Sequence, residues 1–199
     1  PSFANDAMFQ SDFDGDYGIV SCYNGLHLGG GSYTLVRVNL GRVVDICHTE
    51  TELFETFLPD IIDRMLVYMD QRIAFLVEES GFFESNFLSR EGLISKEKFS
   101  AMFGLVGIAN IVNHVLGLEK PTERYGHGKA ADALGLKIVR FINERVTQHE
   151  NKHTTPNNGR FMLHAQVGID SDIGIAPGCR IPIGEEPEVY EHMIHSAAF

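Results

Sequence analysis

Apolar residues recur at helical spacing from position 53 to position 76, which predicts one long amphipathic helix. The segment Thr49–Glu52 directly before it fits a capping box, in which a threonine and a glutamate satisfy each other's backbone N–H groups. Pro59 should kink or split this helix, because proline lacks the N–H that a helix interior needs. Gly81 is the predicted stop.

Two segments near the N-terminus have strand character. Positions 17–23 predict a short strand, and positions 32–40 alternate and are rich in β-branched residues. Glycines at 25 and 29–31 separate them. We therefore predict that the two strands form a hairpin or finger-like loop with a glycine-rich connection, where other backbone or a ligand approaches closely.

The centre of the chain alternates between strand and helix signals. Positions 99–106 predict a buried strand, followed by a helix at about 108–116 that ends at Gly117 and by an amphipathic helix at about 128–149. The polar composition of positions 150–159 predicts a loop.

The last fifty residues continue this pattern. Positions 160–169 predict a strand, and a proline- and glycine-containing irregular segment follows. A final helix is predicted after Pro187. Strands that alternate with helices indicate an α/β fold with parallel or mixed pairing, and the segment resembles half of a larger barrel or sheet.

The composition of the chain limits the classes of partner and the compartment that we expect. The 199 residues carry 16 basic and 27 acidic side chains, a net charge of -11, which argues against nucleic acid as a partner. No apolar run is long enough to span a membrane, so a membrane is not expected as a partner either. Cysteines at 22, 47 and 179 are too few and too scattered for a disulfide framework or a CxxC zinc site, which favours the reducing cytoplasm.

Cys22 is the most informative residue. It lies in the run Ser-Cys-Tyr-Asn-Gly-Leu-His-Leu-Gly-Gly-Gly-Ser at 21–32, at a predicted strand end beside a glycine-rich turn. Such positions expose reactive atoms on a rigid scaffold. From the residues alone, a small buried apolar role and a nucleophilic pair with His27 also stay open.

Residues 22–42 resemble the active-site cysteine loop and following strand of glycyl radical enzymes. Anaerobic ribonucleotide reductases have a similar Gly-x-x-Ser-[FY]-Thr-x-x-x-[IV]-Asn-Leu-x-Arg run. Segments 103–110 and 155–161 follow in matching order, and segment 177–186 is most similar to the YjjI-type glycyl radical enzymes. The resemblance covers nearly the whole chain.

This resemblance implies a ten-stranded α/β barrel with the cysteine on a finger loop. Residues 1–199 would form a single segment of that catalytic barrel, with the C-terminal glycyl radical domain absent from this chain. The glycyl radical would take a hydrogen atom from Cys22, the catalytic residue, and the thiyl radical would then act on a small-molecule substrate under anaerobic conditions.

The resemblance also implies the cofactor and the partners. The radical would be on the missing C-terminal segment, with no cofactor bound directly by this chain. It would be generated by an S-adenosylmethionine-dependent iron–sulfur activating enzyme. A homodimer is a further possible assembly.

The chain departs from the family pattern in several places. The glycyl motif, approximately R-V-x-G-[FWY], is missing, and the segment 124–128 has the wrong glycine spacing. We therefore expect Pro1–Phe199 to be an internal fragment of a longer polypeptide. Neither a Cys-x-Glu pattern nor an adjacent cysteine pair occurs at Cys22. An anaerobic ribonucleoside-triphosphate reductase segment and a non-catalytic barrel binding module are the alternatives.

The candidate substrate-binding residues are Asn24, His27, Ser32, Cys179 and Glu185. The first three follow the cysteine, and their alternative role is to brace turns. Cys179 lies in an irregular loop able to enter a barrel. The alternative for Glu185 is to complement the dipole of the last helix.

Three other sets of polar residues are assigned structural roles. Asn110, Asn113 and His114 share one face of a helix, which we expect to be its solvated side. Asn39 is expected to make an architectural hydrogen bond. No metal site is predicted, because compact zinc-type spacing is lacking among His164, Asp170, Asp172, Cys179, His192 and His195.

Overall fold

The computed structural model describes residues 10–11, 13–20, 24–165 and 172–199. The first two strands, β1 (Tyr17–Val20) and β2 (Asn24–His27), pair in an antiparallel two-stranded sheet. Their register pairs Tyr17 with His27 at one end and Val20 with Asn24 at the other. The hairpin prediction was therefore right for the first strand but wrong for its partner, which is β2 and not the strand after the glycines.

The second sheet has three strands in the order β3 (Gly31–Asn39), β4 (Phe99–Val106) and β5 (Met162–Ala165), and it is parallel. Glycines at the start of β3 explain how closely β3 and β4 approach. A Cβ atom on Gly30 would lie 1.9 Å from the Lys98 carbonyl oxygen, and one on Gly31 would lie 2.8 Å from the Phe99 ring. These glycines therefore admit a neighbouring strand.

The ten-stranded barrel is not confirmed. The described residues form a mixed α/β structure with this three-stranded parallel sheet, and no closed barrel is seen among them. Barrels of this general kind need about eight strands or more to close around a packed interior.

A short helix α1 (Leu40–Val43) follows β3, and helix α2 (Glu50–Glu52) begins the long helical region. The predicted capping box is confirmed. The Thr49 hydroxyl accepts a hydrogen bond from the Glu52 N–H at 3.1 Å, and the Glu52 carboxylate accepts one from the Thr49 N–H at 3.2 Å.

Helical structure continues without a break through a π-helical turn at Leu53–Phe57, helix α3 (Leu58–Ala74) and a second π-helical turn at Phe75–Glu79. Pro59 was predicted to kink or split the helix, but it lies in the first turn of α3. A π-helical turn lies directly before it, and such turns are rare sites at which helices bend. Gly81, with φ +63°, follows the end as predicted.

Short helices α4 (Phe82–Ser85) and α5 (Phe87–Arg90) lead to β4, which is buried at all eight positions. Helix α6 (Ile108–Val115) ends in a Schellman motif. The Leu118 N–H donates to the Asn113 carbonyl at 2.9 Å, and the Gly117 N–H donates to the His114 carbonyl at 3.0 Å. Gly117 has φ +61°, so its predicted role as the C-terminal stop is confirmed.

Helix α7 (Lys129–Gln148) confirms the second amphipathic helix. After β5 and the irregular segment, helix α8 (Val189–Ala198) confirms the final one. No helix among the described residues combines the length and the apolar character needed to cross a bilayer.

The chain forms two compact units. The first comprises residues 1–36, 65–103 and 146–162, and the second comprises residues 37–64, 104–145 and 163–199. The core of the first unit includes the ring cluster of Tyr33, Phe83 and Phe99, with centroids 5.2–6.1 Å apart. Apolar side chains of α6 and α7 that are fully buried contribute to the second core: Ile108, Ile111, Val112, Ile138 and Ile142.

Candidate active site

The predicted catalytic residue, Cys22, lies outside the described residues, as do its neighbours Ser21 and Tyr23. The residues on either side are described. Val20 and Asn24 are paired across the β1–β2 ladder, so three residues of chain connect two paired positions. The backbone of Asn24 is therefore the described position closest in sequence to the catalytic candidate on the β2 side.

His27 lies at the opposite end of the same hairpin, where it pairs with Tyr17. Its ring packs edge-on against the buried Phe13 ring, with centroids 4.8 Å apart, and its Nδ1 lies 3.8 Å from an oxygen of Asp16. The buried Nε2 atom of His27 has no hydrogen-bond partner among the described residues. Among these residues, that nitrogen is unbonded and closed off from solvent.

Lys98 anchors this end of the hairpin. Its ammonium donates to Asp16 Oδ2 and to the Leu28 carbonyl, both at 3.0 Å. The hydrogen bond from Lys98 lowers the pKa of Asp16 below its ordinary value, so the carboxylate stays ionised. The hairpin is thereby tied to the residue that precedes β4.

Ser32 lies in β3, beyond the glycines. Its hydroxyl donates to the Thr34 carbonyl at 2.9 Å, which is a local backbone contact of the kind that serine commonly makes. The oxygen lone pairs can still accept a hydrogen bond from a ligand.

The second unit contains a cavity of about 520 Å³. Its walls come from α6, the segment after Pro121–Glu123 and the irregular segment before α8. The described residues that line it are Asn110, Asn113, Arg124, Gly174, Ile175, Ala176, Pro177, Pro182, Ile183 and Glu185.

Asn110 fastens the irregular segment to α6. Its Nδ2 donates to the Gly174 carbonyl and its Oδ1 accepts from the Ala176 N–H, both at 2.9 Å. The Gly107 N–H adds a bond to the Ala176 carbonyl at 2.8 Å. The expectation that this helix face is simply solvated was wrong for Asn110, because its amide replaces the backbone partners that an irregular segment lacks.

Asn113 was also expected on a solvated face, and it too makes a structural bond. Its Oδ1 accepts a hydrogen bond from the Tyr125 N–H at 2.9 Å. His114, the third member of that set, is exposed, and its Nε2 lies 3.0 Å from Nδ1 of His48.

Glu185 lines the cavity, and its cationic partner there is Arg124. The Nη1 atom of Arg124 lies 3.3 and 3.4 Å from the two carboxylate oxygens. The carboxylate that caps α8 is that of Glu188, which accepts from the Tyr190 N–H at 3.0 Å. The dipole role considered for Glu185 is thus filled by Glu188.

Arg124 is the cavity residue that sequence reasoning missed. It was considered only as part of the Arg-Tyr-Gly-His-Gly segment, whose glycine spacing excluded a glycyl radical motif. Its Nε atom also donates to the Leu118 carbonyl at 3.3 Å, which orients the guanidinium. A lone arginine in a glycine-containing loop was the one signal available.

Cys179 is in the second unit but does not line the cavity. Burial raises the pKa of its thiol to about 12, which keeps the sulfur protonated near neutral pH. Its carbonyl accepts a hydrogen bond from the buried Tyr125 hydroxyl at 2.6 Å. The residue is therefore held as an S–H group inside the second unit.

A buried ion pair connects β3 to the irregular segment. Arg37 donates through both terminal nitrogens to Asp172, and Nδ2 of Asn39 donates to the same carboxylate at 3.3 Å. The architectural role predicted for Asn39 is confirmed. No group of three or more potential metal ligands occurs among the described residues.

Comparison with known proteins identifies the relatives of this chain. A family model described as "Glycyl radical enzyme YjjI-like" matches residues 1–199. An "Uncharacterized protein" of Haemophilus influenzae is 41% identical over 202 residues, which cover 100% of this chain and 39% of that protein. "Uncharacterized protein YjjI" of Escherichia coli strain K12 is 41% identical over 194 residues, which cover 97% of this chain and 37% of that protein. The chain thus spans about two fifths of the length of these relatives.

Proposed function

The chain belongs to the YjjI-like family of glycyl radical enzymes, and from that premise we propose that it carries the hydrogen-abstracting cysteine of such an enzyme. The observation that supports this most is the family match across all 199 residues, which includes the segment around Cys22. The substrate is a small molecule, and the reaction takes place without oxygen.

The proposed chemistry transfers hydrogen atoms and needs no nucleophile. A glycyl radical takes the hydrogen atom of the Cys22 S–H bond, which leaves a closed-shell glycine and a thiyl radical. The thiyl radical takes a hydrogen atom from a substrate C–H bond and returns one when the product radical forms. The radical glycine would lie outside these 199 residues, and an S-adenosylmethionine-dependent iron–sulfur enzyme would install the radical.

The described residues that flank the Cys22 segment support this role in one respect. Hydrogen-atom transfer requires reacting atoms within about 3–3.5 Å, so the cysteine needs a rigid carrier. Val20 and Asn24 are paired on either side of it, and Lys98 ties the other end of the hairpin down. We propose that Cys22 is presented from this anchored hairpin.

The remaining candidates are proposed as substrate contacts. Asn24 is, with Val20, one of the two described positions nearest Cys22 in sequence, and His27 offers an unbonded, buried Nε2 atom. Ser32 keeps its acceptor lone pairs, Cys179 is a half-buried S–H group, and Glu185 is a cavity carboxylate. Each would bind a polar group of the substrate.

The test uses the complete polypeptide, activated without oxygen by its iron–sulfur activating enzyme, in deuterated water. A thiol exchanges its proton with solvent, so reversible transfer through Cys22 should place deuterium on the radical glycine. The hydrogen splitting of its electron paramagnetic resonance signal would then collapse. This readout requires no knowledge of the substrate.

The variant Cys22→Ser should keep the radical but lose this exchange, because an O–H bond is too strong to give up its hydrogen atom to a glycyl radical. Cys47→Ser is the matched control, since Cys47 is a buried thiol whose sulfur donates to the Thr49 carbonyl. Exchange that continues at the unchanged rate in Cys22→Ser would rule the thiyl assignment out.

A further inference from the structure

We infer that the cavity of the second unit binds the carboxylate of a small organic acid, through Arg124 and Asn113. The cavity is built from described residues of that unit alone, and its volume of about 520 Å³ exceeds that of such an acid. This inference is independent of the radical chemistry proposed above, because it concerns binding and requires no radical.

The orientation of the Asn113 amide is fixed by its one structural bond. The Tyr125 N–H is a donor, so the atom that faces it at 2.9 Å must be the acceptor Oδ1. The Nδ2 end therefore has two N–H groups left, and they have no partner among the described residues. Because Asn113 lines the cavity, these donors are available to an acceptor inside it.

The guanidinium of Arg124 is also held in place by a structural bond, and some of its N–H donors make no bond to Glu185. Its Nε is held by the Leu118 carbonyl, and only Nη1 contacts Glu185, at 3.3 and 3.4 Å. Charge-assisted N–H to carboxylate bonds are normally 2.7–2.9 Å, and guanidinium groups prefer two parallel bonds. The present contact is long and uses a single nitrogen, so a carboxylate ligand can make a better pair than Glu185 does.

The apolar residues that line the cavity indicate the chemistry of the rest of the ligand. Ile175, Ala176, Pro177, Pro182 and Ile183 supply aliphatic surface, while Asn110 has both ends of its amide engaged by the irregular segment. A ligand with a short aliphatic chain attached to its carboxylate fits a cavity with this apolar lining. Burial of apolar surface should strengthen binding by about fourfold for each added methylene group.

Glu185 has a defined part in this inference. Its carboxylate occupies the guanidinium that the ligand needs, so it competes with the ligand. This differs from its proposed role as a direct substrate contact, and the two roles predict opposite effects. If Glu185 competes, then Glu185→Gln should tighten carboxylate binding several-fold; if it is a ligand contact, the same change should weaken it.

The test is a titration of the complete, unactivated polypeptide with acetate, propanoate and butanoate, followed by ligand-observed nuclear magnetic resonance. Butanol and butylamine are the neutral and cationic controls. We expect binding to increase from acetate to butanoate and to exceed that of both controls. Binding of butanoate no tighter than that of butanol would overturn the inference.

Three variants assign the binding to this site. Arg124→Gln should weaken butanoate binding by about 10- to 100-fold, which is the range for hydrogen bonds to charged groups. Its matched control is Arg64→Gln, which removes the same charge from an exposed pair with Asp60. Equal affinity in these two variants would overturn the assignment.

Asn113→Asp keeps the acceptor for the Tyr125 N–H, so the fold should be retained. It removes the two free donors and adds a negative charge, and both changes disfavour a carboxylate ligand. We expect at least a tenfold loss of butanoate affinity from this change. Unchanged affinity in Asn113→Asp, or weaker binding in Glu185→Gln, would contradict the arrangement. Because no radical is needed, failure of these titrations is distinguishable from failure of the Cys22 test.

Discussion

Cys179 should react with an alkylating reagent about a thousandfold more slowly in the folded protein than in the unfolded chain. Burial raises the pKa of its thiol from an ordinary 9.0 to about 12, and the thiolate is the form that reacts. At pH 8 the thiolate fraction falls from about one in ten to about one in ten thousand. Steric protection by the fold lowers the rate further, while the greater nucleophilicity of a thiolate with a raised pKa offsets part of the factor.

The burial has an identifiable origin in the second unit. The Tyr125 hydroxyl holds the Cys179 carbonyl, and the neighbouring Ile181 packs so tightly that a Cβ atom on Gly126 would lie 2.4 Å from its Cδ1 atom. A loop constrained in this way does not open readily to solvent. The prediction therefore tests the packing of the irregular segment as well as the pKa.

The assay is iodoacetamide labelling of the native protein between pH 7 and pH 10, with each cysteine quantified on its own peptide by mass spectrometry. Denatured protein provides the reference rate for the same thiol. Below the raised pKa, the native rate should increase about tenfold for each pH unit. Native labelling of Cys179 within tenfold of the denatured rate at pH 8 would refute the reasoning.

Two further predictions concern stability. Burial also raises the pKa of Tyr33 to about 12. In the folded state Tyr33 and Cys179 therefore keep their protons at a pH of 9 to 10, where the same groups lose them in the unfolded chain. The stabilisation from these two groups is complete below that pH range and is lost as pH rises toward 12. The denaturant midpoint of unfolding should therefore fall above pH 9. A midpoint that stays constant up to pH 11 would contradict this. Gly30→Ala should destabilise by about 1–3 kcal/mol, because the new Cβ would lie 1.9 Å from the Lys98 carbonyl oxygen. The matched control is Gly18→Ala, because its Cβ would meet only a leucine methyl group at 3.2 Å. It should lower the free energy of unfolding by less than about 1 kcal/mol. Equal losses for the two variants in denaturant unfolding would refute the close-approach argument.

Local sequence signals were sufficient to predict most of the helices and strands. The Thr49–Glu52 capping box, the continuous apolar strand β4 and the left-handed Gly117 each depend on interactions within a few residues of chain. Such interactions are encoded by sequence spacing, so the sequence predicts them well. The helix is not split at Pro59, and the sequence spacing gave no sign of the π-helical turn that precedes it.

Pairing partners could not be predicted in the same way. Strand β3 follows the glycines, and proximity in sequence favoured it as the hairpin partner of β1. In the structure β3 pairs with β4, about sixty residues away, and Gly30 and Gly31 make room for β4. A glycine that admits backbone and one that admits a ligand look identical in sequence, since both simply lack a side chain.

The cavity residues show a related difficulty. Asn110, Asn113 and Arg124 are ordinary polar residues in sequence, and their roles depend on backbone groups of distant segments. An asparagine on a helix can be solvated or can replace a missing backbone partner. The choice between these is made by the irregular segment that folds over α6, which carries no periodic pattern.

The hairpin geometry shows where His27, a candidate base for the nucleophilic alternative at Cys22, makes its contacts. A nucleophilic cysteine requires a base or a cation beside the sulfur, and His27 was the candidate. His27 is three residues from Asn24 along β2, about 10 Å at the usual rise of a strand, and its Nδ1 lies nearest Asp16. The charge of Lys98 is balanced by the same aspartate. The described end of the hairpin thus directs both groups toward Asp16.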